Sequence, residues 1–316
     1  MVAFLLERYL GKKDFLKLIS LFLVLVFCSV SAQKVLPFDT LKLKETKDMF
    51  ADDYGNLYLY RNKDFSFTKY DSLGQQLGKL MFTVPFKVQE IQNPLTVALF
   101  SENAQEMKFV DQNLNEIQRF DFKQKFTFIK HAYAEDLQQI WLLDESTKRL
   151  LQYNFRNETT INSFPFDASF DEVIDLLVFE TKVYILSKNQ FRVYNLKFEK
   201  LFEAPVENAK RFRRENEVIL IIAKNTIFKY NPEKGLIKIF DDPEAQIVDK
   251  NSLSYFEIKG NKLYLYSLED IADIKKLKEA ENQKKELEKS IEKLEKEKSE
   301  KSDILKIMDE IQDLGF

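Results

Sequence analysis

The chain has 316 residues, 45% of them hydrophobic and 14% aromatic, with 29 Phe and 13 Tyr; this length and apolar content exclude wholesale disorder and favour strands, across which flat rings pack well. A formal net charge of only −3 removes any overall electrostatic drive toward nucleic acid. The single cysteine, Cys28, excludes an internal disulfide, so core packing must hold the fold together.

The first predicted element is a targeting segment. Arg8, Lys12, Lys13 and Lys17 precede the apolar run Leu18 to Phe27, and Ser29-Val30-Ser31-Ala32 supplies the small residues of a signal-peptide cleavage site between Ala32 and Gln33. The run is shorter than the roughly 20 apolar residues a bilayer crossing needs, so cleavage is preferred to a retained anchor. Bulky Phe27 before Cys28 ranks lipidation lower still. Cleavage removes four basic and two acidic residues and takes the net charge from −3 to −5. The reading is an exported chain, periplasmic or envelope-associated with free secretion less favoured, and with no integral membrane segment after cleavage.

Residues 33–268 repeat one phrase: an apolar strand, a polar break, a second strand, then Asp, Asn or Ser in a turn. The strand copies are Asn56 to Tyr60, Val97 to Phe100, Ile140 to Leu143, Lys182 to Leu186, Val218 to Ile221 and Lys262 to Tyr266. The turn residues are Asp71, Asp111, Asn154, Asn195, Asn231 and a degenerate Ser267, spaced by 40, 43, 41, 36 and 36 residues. Short polar side chains suit such sites because they accept a backbone N–H bond and hold a turn. A period near 40 without helical patterning predicts one four-stranded blade per repeat, hence an all-β, six-bladed propeller, with a seven-bladed ring left open. The alternating stretch Phe38 to Leu43 is predicted to close the ring as the outer strand of the last blade, which removes exposed sheet edges.

The form Asp52-Asp53-Tyr54-Gly55-Asn56-Leu57-Tyr58-Leu59-Tyr60, followed by Tyr70-Asp71-Ser72-Leu73-Gly74, resembles the six-bladed propeller superfamily of the NHL and TolB-like type, here as an exported bacterial envelope protein. The resemblance spans roughly residues 36–267 and is close only in the first repeat; later copies lose the glycines. It implies a platform for ligands or proteins, a minority of such propellers being metal-dependent hydrolases.

From residue 269 to 316 the composition turns to Lys, Glu, Leu and Ile, and predicts a charged, amphipathic, coiled-coil-like helical tail. Leu287, Ile291 and Leu294 form a narrow stripe, and the apolar pattern returns at Ile304, Leu305, Met308 and Ile311. In between, a heptad register would place Lys298 and Lys301 in the seam, so any coiled coil is short. Folding back on the propeller, self-association and docking onto an envelope protein all stay open. The stripe is the first set of interaction candidates.

The second set is the run Lys210, Arg211, Arg213 and Arg214, interrupted by Phe212. Strand alternation would separate these charges onto two faces, so a solvated surface is the simpler reading and an acidic partner the more interesting one. His131 is the only histidine and cannot build a multi-histidine zinc site. No nucleophile-and-base motif is recognisable. Asp53, Asp111, Asp144, Asp175 and Asp270 are candidates to converge on one face for carboxylate or calcium chemistry, though Asp52-Asp53-Tyr54-Gly55 reads more simply as a hairpin turn. No catalytic, cofactor or metal residue and no cofactor is therefore assigned. The expected function is a non-enzymatic envelope scaffold binding protein or glycan; the alternative is a carboxylate- or calcium-dependent propeller hydrolase or lyase.

Overall fold

The computed structural model describes residues 33–268, apart from 39–42, 90, 92–93, 167–168 and 171. The chain divides into two units, 1–266 and 267–316. The predicted signal segment and the tail stripe (Leu287, Ile291, Leu294, Ile304, Leu305, Met308 and Ile311) lie outside the described residues.

Six four-stranded antiparallel sheets make the propeller. Blade one is β2 (Thr46–Ala51), β3 (Leu57–Arg61), β4 (Ser66–Tyr70) and β5 (Gln76–Met81). Blade two is β6 (Lys87–Val88), β7 (Val97–Ser101), β8 (Glu106–Val110) and β9 (Glu116–Asp121). Blade three is β10 (Ile129–Ala134), β11 (Gln139–Asp144), β12 (Arg149–Asn154) and β13 (Thr159–Pro165). Blade four is β14 (Val173–Phe179), β15 (Lys182–Ser187), β16 (Gln190–Asn195) and β17 (Lys200–Pro205). Blade five is β18 (Ala209–Glu215), β19 (Val218–Ala223), β20 (Thr226–Asn231) and β21 (Gly235–Asp241). Blade six is β22 (Ile247–Lys250), β23 (Ser254–Lys259), β24 (Lys262–Ser267) and, from the other end of the chain, β1 (Gln33–Leu36).

The repeated turn residues do what their chemistry suggests. After the third strand of blades one to five, Asp71, Asp111, Asn154, Asn195 and Asn231 each accept two backbone N–H bonds from the turn that follows, at 2.8–3.0 Å. Ser267 ends the third strand of blade six at the same place.

Two sequence expectations are corrected. The closing strand is Gln33–Leu36, paired with Leu263 to Tyr266, and not Phe38 to Leu43; Phe38 packs edge-on against Tyr70 instead, with ring centroids 5.4 Å apart. Lys262 to Tyr266 is not equivalent to the other five strand copies: those are the second strands of their blades, and it is the third strand of blade six. The true second strand, Ser254–Lys259, escapes a hydrophobic-run search because the buried Glu257 interrupts it.

The second strands read as continuous apolar runs because both sheet faces are covered by neighbouring blades. In blade one, Met49, Leu57 and Leu59 pack toward Ile247, Phe256 and Leu263 of blade six. Alternate residues Phe50, Tyr58 and Tyr60 pack toward Val88, Val97 and Leu99 of blade two. The outer strands are edges, and four of them are broken by a bulge at an exposed aliphatic residue: Leu77, Ile117, Ile161 and Leu201. A bulge twists the edge and spoils it as a template for another strand.

Gly74 joins the first turn to the closing segment. Its φ is +75°, and a Cβ there would lie 2.6 Å from the Pro37 carbonyl oxygen, whereas Gly55, at φ +84°, has nothing within 4 Å of that position. Gly55→Ala is expected to cost about 1 kcal/mol, the left-handed penalty less the unfolded-state gain. Gly74→Ala adds an overlap with backbone that costs about 1–3 kcal/mol more. Urea denaturation of the two variants side by side measures the difference, and equal losses would mean that the turn does not press on the closing segment.

Candidate functional site

The innermost strands of a propeller are sheet edges facing the central channel, and their free N–H and C=O groups need partners. Side chains of other blades supply many of them. Asp249 Oδ2 accepts the Ala51 N–H at 2.7 Å, Asp175 Oδ2 accepts that of Phe212 at 2.6 Å, and Gln89 Oε1 accepts that of Ala134 at 2.9 Å. Arg211 Nη2 donates to Met49 O and Arg213 Nη1 to Ala51 O, both at 2.9 Å.

Five of the six innermost strands carry an ionisable side chain at the same place, opposite the penultimate residue of the second strand. Asp48 faces Tyr60, Lys87 faces Phe100, His131 faces Leu143, Asp175 faces Leu186 and Arg211 faces Ile222. In blade six that place belongs to Ile247, and the charge, Asp249, follows two residues later.

These groups sort into two ion-paired clusters. In the first, Arg211 pairs with Asp249 at 3.0 Å and Asp48 at 3.3 Å, and Arg213 pairs with Asp249 at 3.6 Å and Glu215 at 2.9 Å. Lys250 closes the set on Glu215 and Asp53 lies 4.0 Å from Arg213, making three cations against four carboxylates. Burial opposes the charge on Arg211, but Asp249 and Asp48 outweigh it and raise the guanidinium above its ordinary value. The expectation of a solvated surface for the run fails here: Arg211 is 4% and Arg213 2% exposed. Of the other candidates, Arg214 stacks over Phe179 at 4.7 Å, and Lys210 is half-buried at the channel mouth.

In the second cluster, Lys87 Nζ lies 2.8 Å from His131 Nε2 and 3.2 Å from Asp175 Oδ1. His131 Nδ1 sits 3.2 Å from the Ala132 carbonyl oxygen. A carbonyl can only accept, so Nδ1 carries the proton, and Nε2 offers its lone pair to the Lys87 ammonium. Burial, with Lys87 beside it, pushes the imidazole down and keeps it neutral, against the pull of Asp175. Asp175 is held at about 2: burial pushes its carboxyl up, but Lys87 and the Phe212 N–H more than offset that.

The candidate carboxylates do not converge. Asp175 alone sits on an innermost strand, and Asp53 approaches Arg213 at 4.0 Å from the turn after β2. Asp111 caps a turn, Asp144 accepts the Ser146 and Thr147 N–H groups at the end of β11, and Asp53 accepts the Ser252 N–H at 2.8 Å. Asp270 lies outside the described residues. Among the described residues no group of three or more His, Cys, Asp or Glu side chains is placed to hold a metal ion. Asp48, Lys87, Glu215, Asp249 and Lys250 were not singled out by sequence. Asp48, Lys87, His131, Asp175 and Arg211 nonetheless follow the blade period, with Lys87 and His131 44 residues apart.

At one mouth of the channel a cleft of about 580 Å³ opens where the innermost strands begin. Its walls include Phe50, Phe86 and Phe100, and its charged lining is Lys47, Lys87, Lys130, Lys210 and Arg211 against Asp48 and Glu102. Among the described residues no helix is long and apolar enough to cross a membrane.

No family model matches the chain, and no curated protein matches it. Among solved structures, BamB from Moraxella catarrhalis is 9% identical over 70% of this chain and 84% of that one, with a TM-score of 0.39. A streptogramin B lyase structure is 11% identical over 75% of this chain and 87% of its own, with a TM-score of 0.46. Both likenesses concern the backbone fold.

Proposed function

We propose that this chain is a non-catalytic propeller scaffold of the cell envelope that holds a protein partner. The observation that carries the reading is the state of the channel: its one imidazole gives its lone pair to Lys87, and its carboxylates are committed to buried cations and to the backbone of neighbouring blades. A hydrolase or lyase needs an acid or base left free to meet substrate. These groups instead hold the blades together. Envelope location rests on the basic, apolar and small-residue order of residues 1–32, and kinship with NHL and TolB-like propellers rests on the first repeat.

The partner-binding element is the tail, 269–316. A segment so rich in Lys and Glu gains little from exposed ion pairs, and its two apolar stripes suit contact with another surface. Every strand of the ring ends by Ser267. Deleting residues 270–316 is therefore expected to leave the cooperative β-sheet melt seen by circular dichroism unchanged, while abolishing recovery of a partner from native envelope extract. Recovery of the same partners by both chains, with the same mass by light scattering, would move the binding surface to the propeller loops.

A further inference from the structure

Four of the innermost strands contain a bulge, and it falls one residue before the charged position each time. The extra residues are Lys47, Lys130, Ile174 and Lys210. A bulge re-aims a side chain out of the regular alternation. All four of these residues line the same cleft at the channel mouth, and three of the four are lysines. Lys87 and Arg211 add two further cations deeper in the cleft, so five cations face Asp48 and Glu102, with Asp175 behind Lys87. With Asp175 behind Lys87 and Asp249 behind Arg211 both counted, five cations still face four carboxylates and leave an excess of one positive charge, on a chain whose own net charge is −3.

The cations are not equally committed. Arg211 is held by Asp48 and Asp249, Lys87 by Asp175, and Lys130 by Glu102 at 2.9 Å. Lys210 and Lys47 have no ion-pair partner among the described residues. Burial pushes the Lys210 ammonium down; Asp48 pulls it up, but Arg211, Lys47 and Lys224 add to the fall. A half-buried cation surrounded by other cations is stabilised by whatever anion enters beside it. The walls are not polar. Phe50, Phe86 and Phe100 flank the opening, and the Arg211 guanidinium lies 4.2 Å above the Phe50 ring. A volume of about 580 Å³ fits a small molecule.

We propose that this cleft binds a small organic anion carrying at least two negative charges on an apolar, ring-sized body, with the bulge lysines Lys47, Lys130 and Lys210 meeting its charges and Phe50, Phe86 and Phe100 its body. The charged groups are carboxylates or phosphates, which these side chains recognise alike. The site is independent of the protein-scaffold reading, because it uses neither the tail nor a macromolecular surface.

Isothermal titration calorimetry of the full chain tests it with benzene-1,3,5-tricarboxylate, its neutral triamide and inorganic pyrophosphate. The tricarboxylate is expected to bind, more weakly as ionic strength rises, and the triamide to give no heat. Lys210→Met is expected to weaken the tricarboxylate by about tenfold or more while leaving the melting temperature unchanged or higher, since it removes a desolvated charge that has no ion-pair partner among the described residues. Lys47→Gln, an exposed substitution, gives the same weakening in smaller measure. Pyrophosphate binding at least about tenfold weaker than the tricarboxylate supports a role for the aromatic walls; equal or tighter pyrophosphate binding overturns the apolar-body half of the proposal. Absence of heat with both anions at millimolar concentration, or affinities unchanged in both variants, overturns the site itself.

Discussion

Asp249→Ala is expected to lower the stability of the propeller by about 3–5 kcal/mol, the usual cost of stripping one partner from a buried ion pair. Asp249 is wholly buried and serves three groups at once. It accepts the Ala51 N–H of blade one at 2.7 Å, and it neutralises Arg211 and Arg213 of blade five at 3.0 and 3.6 Å. With alanine in place, two guanidiniums that are 4% and 2% exposed keep Asp48, Glu215 and the more distant Asp53, and an edge N–H loses its acceptor. For a domain of this size the loss corresponds to a fall in melting temperature of roughly 6–20 °C. Asp249→Asn is expected to lose less, because the amide oxygen can still accept from Ala51. Chemical denaturation of both variants checks the order. A change below about 1 kcal/mol in Asp249→Ala would show that water or local repacking satisfies the two arginines without it.

The second large effect concerns ring closure. Leu36→Asp is expected to cost at least about 3 kcal/mol, combining a lost buried leucine with a carboxylate placed in an apolar cluster. Leu36 packs with Leu43, Met49, Leu57 and Leu263, and so joins β1 to blades six and one together. Val35, its neighbour on the same strand, is 50% exposed, and Val35→Asp is expected to stay within about 0.5 kcal/mol of the parent. Removing residues 33–36 altogether leaves β24 as an open edge from Leu263 to Tyr266. The expected outcome is self-association in light scattering and loss of a single cooperative urea transition. If a monomer with one sharp transition survives the deletion, β24 does not need its partner and the ring is held by its inter-blade cores alone.

Much of this architecture was legible in the chain because its signals are local. Asp71, Asp111, Asn154, Asn195 and Asn231 cap turns through bonds to residues two to four positions ahead, so their chemistry announces itself at short range wherever the turn recurs. The apolar second strands of five blades are equally visible, since burial on both faces leaves no polar member to break the run. Where one polar residue enters, as Glu257 does in β23, the pattern slips and the third strand is taken for the second. The identity of the closing strand was beyond such signals: Gln33–Leu36 finds its partner at the opposite end of the ring, and four residues carry too little alternation to declare it.

The channel belongs to tertiary structure almost entirely. Asp48, Lys87, His131, Asp175 and Arg211 occupy one equivalent position, but their chemistries differ from blade to blade, so no repeated residue type marks the place. The charges of Arg211 and Arg213 read as surface because a solvated face is the usual home of a basic run. Only closure of the ring brings Asp249 and Asp48 within 3.0–3.3 Å of Arg211, the latter across 163 residues of sequence. Sequence alone determined the class of fold, its repeat and its turns, which follow from patterns spanning a few residues. The tertiary structure decided which strand closes the ring, which charges are buried together and which lysines a bulge turns into the cleft, because each depends on contacts between blades that the sequence holds far apart.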